Sequence, residues 1–183
     1  MSKLLTQFVN SDVFILDVIN NSIKCRVLDW FLPKVTYLGS IQFAICLCLL
    51  LFMYPNKYVH QFSVELIISL ILCTLLTWVI KLIFNRPRPF LKIENLHVKK
   101  ISIDDYSFPS AHSASAFAMA VTASIFFPEI GIPLTVLATF VGISRIYIGV
   151  HYPTDVLIGT LIGTVSAMIT YNFIFAPLLN LFQ

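Results

Sequence analysis

The chain has 183 residues, of which 58% are hydrophobic and 11% are charged. A soluble domain carries about 25% charged residues, so this chain has too few to cover a water-facing surface. The composition excludes a disordered chain and an ordinary cytosolic enzyme. The net charge is only +3, and the basic residues are too few and too dispersed along the chain to form a nucleic-acid-binding surface. It predicts an integral membrane protein with a single domain over residues 1–183.

Stretches without charge predict membrane-spanning helices, because a bilayer core requires about 20 apolar residues in a helix. Residues 1–32 come first and differ: apolar side chains at helical spacing alternate with Asp12 and Asp17. That pattern predicts an amphipathic helix at the membrane interface, or a sixth span if its polar face packs inside. Five spans follow, at Val35–Met53, His60–Phe84, Ser110–Phe127, Leu134 to Arg145 or beyond, and Val156–Phe175.

The expected fold class is therefore all-α, an integral membrane helical bundle of five or six transmembrane helices with an interfacial N-terminal helix. Crossing the membrane once per span brings three polar segments, 81–89, 109–112 and 144–155, to the same membrane face. The loop 85–109 lies on that face as well. Polar groups are costly in a membrane, so their collection on one face indicates a functional site.

The residue types in these segments are suited to a multiply charged oxyanion. Lys81, Arg88 and Arg145 supply positive charge near the membrane boundary. Ser110 begins a predicted helix, where a hydroxyl and unbonded N–H groups favour an anion. Phosphate fits this set best. The sequence has no carboxylate cluster there to hold magnesium, so neither a metal nor another cofactor is expected.

Two histidines give the predicted site a chemistry. Asp155 follows His151 by one helical turn, where its carboxylate can fix the imidazole tautomer and leave the other ring nitrogen as a nucleophile. His112 can protonate the departing oxygen as a general acid, while the cations stabilise charge on the phosphoryl group. These residues predict a metal-independent hydrolase with a phosphohistidine intermediate.

The three segments together resemble the type 2 phosphatidic acid phosphatase superfamily. The first reads K-x6-R-P from Lys81, the second P-S-x-H from Pro109, and the third S-R-x5-H-x3-D from Ser144. Each motif alone is weakly specific, whereas all three in order with matching spacing are specific. The predicted helices around them extend the resemblance over most of the chain.

The resemblance implies a role for each matching residue. His151, His112 and Asp155 would be catalytic, and the phosphate-binding residues would be Lys81, Arg88, Ser110, Ala111 and Arg145. The family usually has glycine where this chain has Ala111. Alanine keeps the backbone N–H, and its methyl group is harmless only where φ is negative.

Within that superfamily the compact chain resembles bacterial undecaprenyl pyrophosphate phosphatases. The resemblance implies a phosphoric monoester or diphosphate hydrolase of the cell envelope, acting on undecaprenyl pyrophosphate within the lipid bilayer. A phosphatidic acid or phosphatidylglycerophosphate phosphatase is the alternative, and the site residues do not distinguish these substrates from undecaprenyl pyrophosphate. No nucleic-acid partner is expected, and the sequence does not determine the oligomeric state.

Two functions of other classes fit part of this pattern. A vanadium haloperoxidase could use the same anion pocket, but that branch of the superfamily is soluble, which the hydrophobic composition opposes. A non-catalytic lipid-binding or transport protein has no need for His112, His151 and Asp155 together. Both alternatives therefore rank below a lipid phosphatase.

The positive-inside rule alone would place the basic site face in the cytoplasm. The phosphate-binding cations distort that count, and the resembling bacterial enzymes face outward, so we expect an extracytoplasmic site in a bacterial plasma membrane. Other polar residues receive structural interpretations. Arg86 is interpreted as an interfacial anchor and helix stop, His60 and His97 as packed or capped side chains, and Glu65 as reaching the interface.

Overall fold

The computed structural model describes residues 3–98 and 106–177, and the regular elements in these ranges are all helices. The seven α-helices of the described residues are α1 (Lys3–Asp17), α2 (Arg26–Val35), α3 (Ile41–Met53), α4 (Lys57–Phe84), α5 (Ala111–Phe126), α6 (Gly131–Tyr147) and α7 (Pro153–Thr170). Short 3₁₀ or π-helical turns lie at Val18–Ser22, Thr36–Gly39, Pro89–Leu91, Pro128–Ile130 and Tyr171–Phe175. The predicted all-α class is confirmed.

Helix α5 lies at the centre of the bundle, where it packs against α4, α6 and α7. Its Ala114 and Ala118 are both 0% exposed. A methyl group added at Gly163 of α7 would lie 2.1 Å from the backbone oxygen of Ala114, so this close approach requires glycine. Small side chains thereby allow α7 to pack closely against α5.

Three helical stretches are long and apolar enough to cross a membrane, namely Lys57–Phe84, Pro128–Tyr147 and Pro153–Phe175. A fourth span results if the bent pair Arg26–Gly39 and Ile41–Met53 crosses as one. Helix α5 is apolar but has 16 residues, fewer than the roughly 20 that a bilayer core requires. The helical bundle is confirmed, while the count of five or six spans stays a prediction.

The first expected span, Val35–Met53, is not a continuous helix. Helix α2 ends at Val35, and the segment Ile41–Met53 is bent by 58° from the preceding one. Ser40 begins α3 by accepting a hydrogen bond from the N–H of Phe43 at 3.2 Å, as an N-terminal serine cap does. The expectation of one uninterrupted helix was wrong, because the break lies inside an uncharged stretch and the positions of charged residues cannot reveal a break there.

The N-terminal segment buries two polar side chains, Asp12 and Asn20, against the bundle. The expected single amphipathic segment, residues 1–32, contains α1 and the first part of α2, with a break between them. Phe14 is 69% exposed, whereas Asp12 is 4% and Asn20 0% exposed. Phe14 of α1 therefore faces outward, whereas Asp12 contacts the bundle and Leu16 of the same helix packs in the core.

Glu65 does not reach the interface, contrary to expectation. It lies more than two helical turns after Lys57, at about 3.6 residues per turn, and is 0% exposed. Its Oε1 accepts a hydrogen bond from the Thr170 hydroxyl at 2.6 Å. Its Oε2 has no hydrogen-bond partner among the described residues. The sequence interpretation used only the positions of charged residues along the chain. Those positions do not show that α7 packs over the Glu65 side chain.

Candidate active site

The predicted polar segments meet at one end of the bundle, where several helices begin or end. Lys81 lies in the last turn of α4 and Arg145 in the last turn of α6. Ser110 caps α5, and Asp155 lies in the first turn of α7. His151 belongs to the short connection between α6 and α7. Helix ends can form such a site because their terminal backbone N–H and C=O groups have no partners within the helix.

His151 is 2% exposed and lies between a carboxylate and a guanidinium. Its Nδ1 is 3.6 Å from Oδ2 of Asp155, beyond hydrogen-bond distance, and its Nε2 is 3.4 Å from Nη1 of Arg88. The pKa of His151 lies well below its ordinary value, because burial and the positive charges of Arg145, Arg88 and Lys81 disfavour the imidazolium. The ring is therefore neutral at neutral pH, as a nucleophile must be.

The two candidate phosphate-binding arginines are buried and oriented by oxygen atoms. Arg88 is 3% exposed and donates to the backbone oxygen of Val150 at 3.0 Å. Arg145 is 2% exposed and donates to the hydroxyl of Thr36 at 2.8 Å. Guanidinium groups held in this way present positive charge in a defined direction, which suits the planar recognition of a phosphate.

The start of α5 is tied to the start of α7. The N–H of Ser110 donates to the backbone oxygen of Asp155 at 2.9 Å. The Ser110 hydroxyl accepts a hydrogen bond from the N–H of Ser113 and lies 2.8 Å from the Ser113 hydroxyl. His112, in the same turn, lies within the electrostatic influence of the site cations and of His151. Ser110 therefore caps the helix at the position where an anion would bind.

The alanine that replaces the usual glycine fits its backbone. Ala111 is the first residue of α5, and the non-glycine residues with positive φ in the described ranges are Asn85 and Asn95. The φ of Ala111 is therefore negative, and its methyl group causes no backbone strain. Its N–H lies in the first turn of the helix, where N–H groups have no intrahelical partner.

Arg86 is not the simple interfacial anchor that the sequence interpretation made it. Its Nη1 lies 2.6 Å from Oδ1 of Asp155, and its Nη2 lies 2.8 Å from Oδ2 of Asp12. The guanidinium also stands 3.9 Å from the centre of the Tyr152 ring. Burial opposes the charge of Arg86, but the charges of Asp155 and Asp12 raise its pKa. Arg86 therefore forms an ion pair with the candidate catalytic carboxylate of Asp155. The sequence interpretation did not identify this partner.

The N-terminal segment also supplies residues that the sequence interpretation missed. Asn20 donates to the backbone oxygens of Tyr147 at 2.7 Å and His97 at 3.0 Å, and accepts from the N–H of His97 at 2.8 Å. These bonds hold the chain that enters the site after α6. The available signal was the presence of Asp12 and Asn20 in an apolar helix, since such groups require polar partners.

The two remaining histidines lie outside this cluster. The His60 ring packs on Phe52 with 4.4 Å between the ring centres. His60 lies near the start of α4, at the opposite end of that helix from Lys81. His97 is exposed and takes part through its backbone. His60 agrees with its interpretation as a packed side chain, whereas the interpretation of His97 as packed or capped was wrong, because its side chain is exposed.

Comparisons with known proteins agree with this geometry. A family model described as the PAP2 superfamily matches residues 62–178, a range that contains every candidate site residue from the three motifs. Undecaprenyl-diphosphatase BcrC of Bacillus subtilis is 28% identical over 147 residues, which cover 80% of this chain and 75% of that protein.

Two solved structures are similar to the bundle. The crystal structure of LpxE from Aquifex aeolicus has a TM-score of 0.78 at 33% identity, over 88% of this chain and 94% of that one. A transmembrane PAP2 type phosphatidylglycerolphosphate phosphatase from Bacillus subtilis has a TM-score of 0.74 at 24% identity, over 94% of this chain and 87% of that one. The second likeness concerns the fold alone.

Proposed function

This chain belongs to the PAP2 superfamily, and we propose on that basis that it removes the terminal phosphate of undecaprenyl pyrophosphate. It is an integral membrane enzyme that hydrolyses a lipid phosphate. The observation that carries the proposal is the setting of His151, with Asp155 near Nδ1 and Arg88 3.4 Å from Nε2. The similarity to an undecaprenyl-diphosphatase favours a polyprenyl pyrophosphate as substrate.

In the proposed complex, the terminal phosphate binds among Lys81, Arg88 and Arg145. The hydroxyl of Ser110 and the N–H of Ala111 contact it from the start of α5, where the helix dipole favours an anion. Charge that accumulates on the phosphoryl oxygens in the transition state strengthens these contacts, which is how they lower the barrier.

In the first step, Nε2 of His151 attacks the terminal phosphorus. A nitrogen–phosphorus bond forms as the bond from phosphorus to the bridging oxygen breaks. His112, which takes up a proton when the negative pyrophosphate offsets the charges of the site cations, donates that proton to the bridging oxygen. Undecaprenyl phosphate leaves. The Asp155 carboxylate accepts a hydrogen bond from Nδ1–H and stabilises the positive ring, so the present separation of 3.6 Å shortens in the complex.

In the second step, His112 takes a proton from a water molecule as the water oxygen attacks the phosphorus of the phosphohistidine. The nitrogen–phosphorus bond breaks, inorganic phosphate departs and His151 returns to its neutral form. The protein side chains supply the nucleophile, the acid and base, and the charge stabilisation. We therefore propose that the reaction is independent of metal ions.

An apolar cavity along α5, whose lining begins one helical turn after His112, supports a lipid substrate. It has a volume of about 390 Å³ and is lined by residues of α3, α4, α5 and α6, including Ala116, Ala123 and Val141. Ala116 lies one turn after His112 on α5. Burial of a hydrocarbon chain in such a cavity is favourable, so we place the part of the prenyl chain nearest the pyrophosphate there.

The test is phosphate release by the purified protein from undecaprenyl pyrophosphate, phosphatidic acid and phosphatidylglycerophosphate, with and without a chelator. We expect the highest kcat/KM for undecaprenyl pyrophosphate and no effect of the chelator. His151→Ala should abolish release from every lipid. His60→Ala is the matched control, because His60 packs on Phe52 away from the site.

Each part of the proposal has its own contrary result. Equal release by the wild type and His151→Ala would exclude the phosphohistidine mechanism. Loss of release with the chelator would exclude metal independence. A higher kcat/KM for either glycerol-based lipid would replace the proposed substrate with the alternative phosphatase function.

We also propose that the site faces the extracytoplasmic side of a bacterial plasma membrane. Position 97 is exposed on the loop between α4 and α5. His97→Cys, in a variant whose four native cysteines are replaced, should react with a membrane-impermeant thiol reagent in intact cells. Labelling only after permeabilisation would place the site in the cytoplasm.

A further inference from the structure

Asp12 of α1 is a buried carboxylate that contacts the residues around the proposed nucleophile. It is 4% exposed, although α1 lies outside the family match at residues 62–178. Its Oδ1 accepts a hydrogen bond from the N–H of Thr154 at 3.0 Å, and its Oδ2 accepts one from the Thr154 hydroxyl. A residue from the first helix therefore caps the start of α7, two positions after Tyr152.

The same Oδ2 binds Arg86, which leads to the active site. Arg86 uses Nη2 for Asp12 at 2.8 Å and Nη1 for Asp155 at 2.6 Å, and Nη1 also donates to the Thr154 hydroxyl at 2.8 Å. The guanidinium is planar, so a bond at one nitrogen sets the direction of the other. Asp12 thereby determines where Arg86 can meet Asp155.

Asp155 divides its two oxygens between this contact and the nucleophile. Oδ1 is held by Arg86, and Oδ2 accepts the N–H of Tyr152 at 2.8 Å and faces Nδ1 of His151. The bond of Arg86 to Oδ1 and the bond of the Tyr152 N–H to Oδ2 together restrict rotation of the carboxylate, so loss of the Arg86 bond loosens the orientation of Oδ2 toward His151. The four side chains form a continuous chain of contacts from α1 to the proposed nucleophile.

We propose that Asp12 is a positioning residue for the reaction, acting through Arg86 and Asp155 on the tautomer and orientation of His151. This inference rests on the proposed function. The contacts of Asp12 are with Thr154 and Arg86, so we expect its contribution to be to kcat. Misplacement of a catalytic group by about 1 Å can cost on the order of 100-fold in rate.

Asp12→Asn isolates the ion pair from the helix cap. Asparagine caps a helix as well as aspartate does, so the bond to the Thr154 N–H is retained while the charge facing Arg86 is removed. We expect kcat to fall about 10- to 100-fold with KM nearly unchanged. Asp17→Asn is the matched control, because Asp17 is an exposed residue of the same helix and accepts a hydrogen bond from Asn21 at 2.8 Å.

A double-mutant cycle tests the route of the effect. If Asp12 acts through Arg86, the pair Asp12→Asn and Arg86→Gln should lower kcat no further than Arg86→Gln alone. Additive losses would exclude this route. An unchanged kcat for Asp12→Asn would overturn the inference directly.

A spectroscopic measurement keeps the inference separate from the choice of substrate. In protein with ¹⁵N-labelled histidine, the His151 signals, assigned by comparison with His151→Gln, report the ring tautomer. We expect a single Nδ1–H tautomer in the wild type and Asp17→Asn, and a mixture in Asp12→Asn. An unchanged tautomer in Asp12→Asn would overturn the positioning role. A changed tautomer in a wild-type protein inactive on every lipid would retain that role and reject the proposed function.

Discussion

Asp155 and Glu65 are both 0% exposed, yet the protein surrounds these two carboxylates differently. Asp155, at the start of α7, pairs with Arg86 at 2.6 Å and accepts the N–H of Tyr152 at 2.8 Å. Glu65, facing the end of α7, accepts the Thr170 hydroxyl at 2.6 Å. Within the described residues, Glu65 Oε2 has no hydrogen-bond partner.

The difference shows what a buried charge requires. An ionised carboxylate removed from water needs a cation and N–H donors in exchange. The site end of the bundle provides both, because loops with arginine side chains meet helix starts there. Between α4 and α7, the Thr170 hydroxyl serves Glu65. We therefore expect the charge of Asp155 to be essential to function and that of Glu65 to be dispensable.

The largest expected effect separates the two carboxylates by the same chemical change. Asp155→Asn should lower kcat for phosphate release on the order of 10³-fold or more, because an amide can neither balance Arg86 nor stabilise a charged His151. The comparison is Glu65→Gln, assayed per folded molecule with the same lipid. A loss below about tenfold for Asp155→Asn would contradict the orienting role.

Removal of the hydroxyl that serves Glu65 should affect stability and leave chemistry intact. Thr170→Val deprives a buried carboxyl group of its donor, which costs about 1–3 kcal/mol in the free energy of unfolding. Denaturant titration in detergent measures that change, and kcat per folded molecule should equal that of the wild type. A fall in kcat per folded molecule alongside the loss of stability would link Glu65 to the active site.

The pH profile should depend on the site charges and not on Glu65. Because the pKa of His151 is lowered by burial and by Arg145, Arg88 and Lys81, activity should persist below about pH 6.5, the ordinary histidine pKa. Lys81→Met removes one positive charge, which raises that pKa and moves the acid limb of kcat/KM to higher pH.

The same lipid is used for each profile, so that its own ionisation cancels in the difference between the proteins. Glu65→Gln is the control and should leave the acid limb in place. A limb at the same pH in Lys81→Met and the wild type would assign the limb to a group other than His151.

The smallest expected effect is that of Glu65→Gln itself. The amide oxygen can still accept the Thr170 hydroxyl, so the free energy of unfolding should change by less than about 1 kcal/mol. Thermal unfolding in detergent provides the measurement. A large destabilisation would mean that the buried charge of Glu65 has a role after all.

Three of the long apolar helices and the motif residues were predictable because their signals are local. Charge gaps locate α4, α6 and α7, and motif spacing locates the residues from Lys81 to Asp155. The bend before α3 was not predictable from charge, since Gly39 and Ser40 lie in an uncharged run. The partner of Arg86 was not predictable either, because Asp12 is 74 residues away in the chain.

By itself, the sequence determined an all-helical membrane protein and the identity of its candidate nucleophile, acid and phosphate-binding residues, because hydropathy and motif spacing act over a few helical turns. Only the tertiary structure decided which charges pair. Arg86 joins Asp12 to Asp155, and α7 covers Glu65. Ion pairs and hydrogen bonds depend on separations of a few ångström in space, which spacing along the chain does not specify.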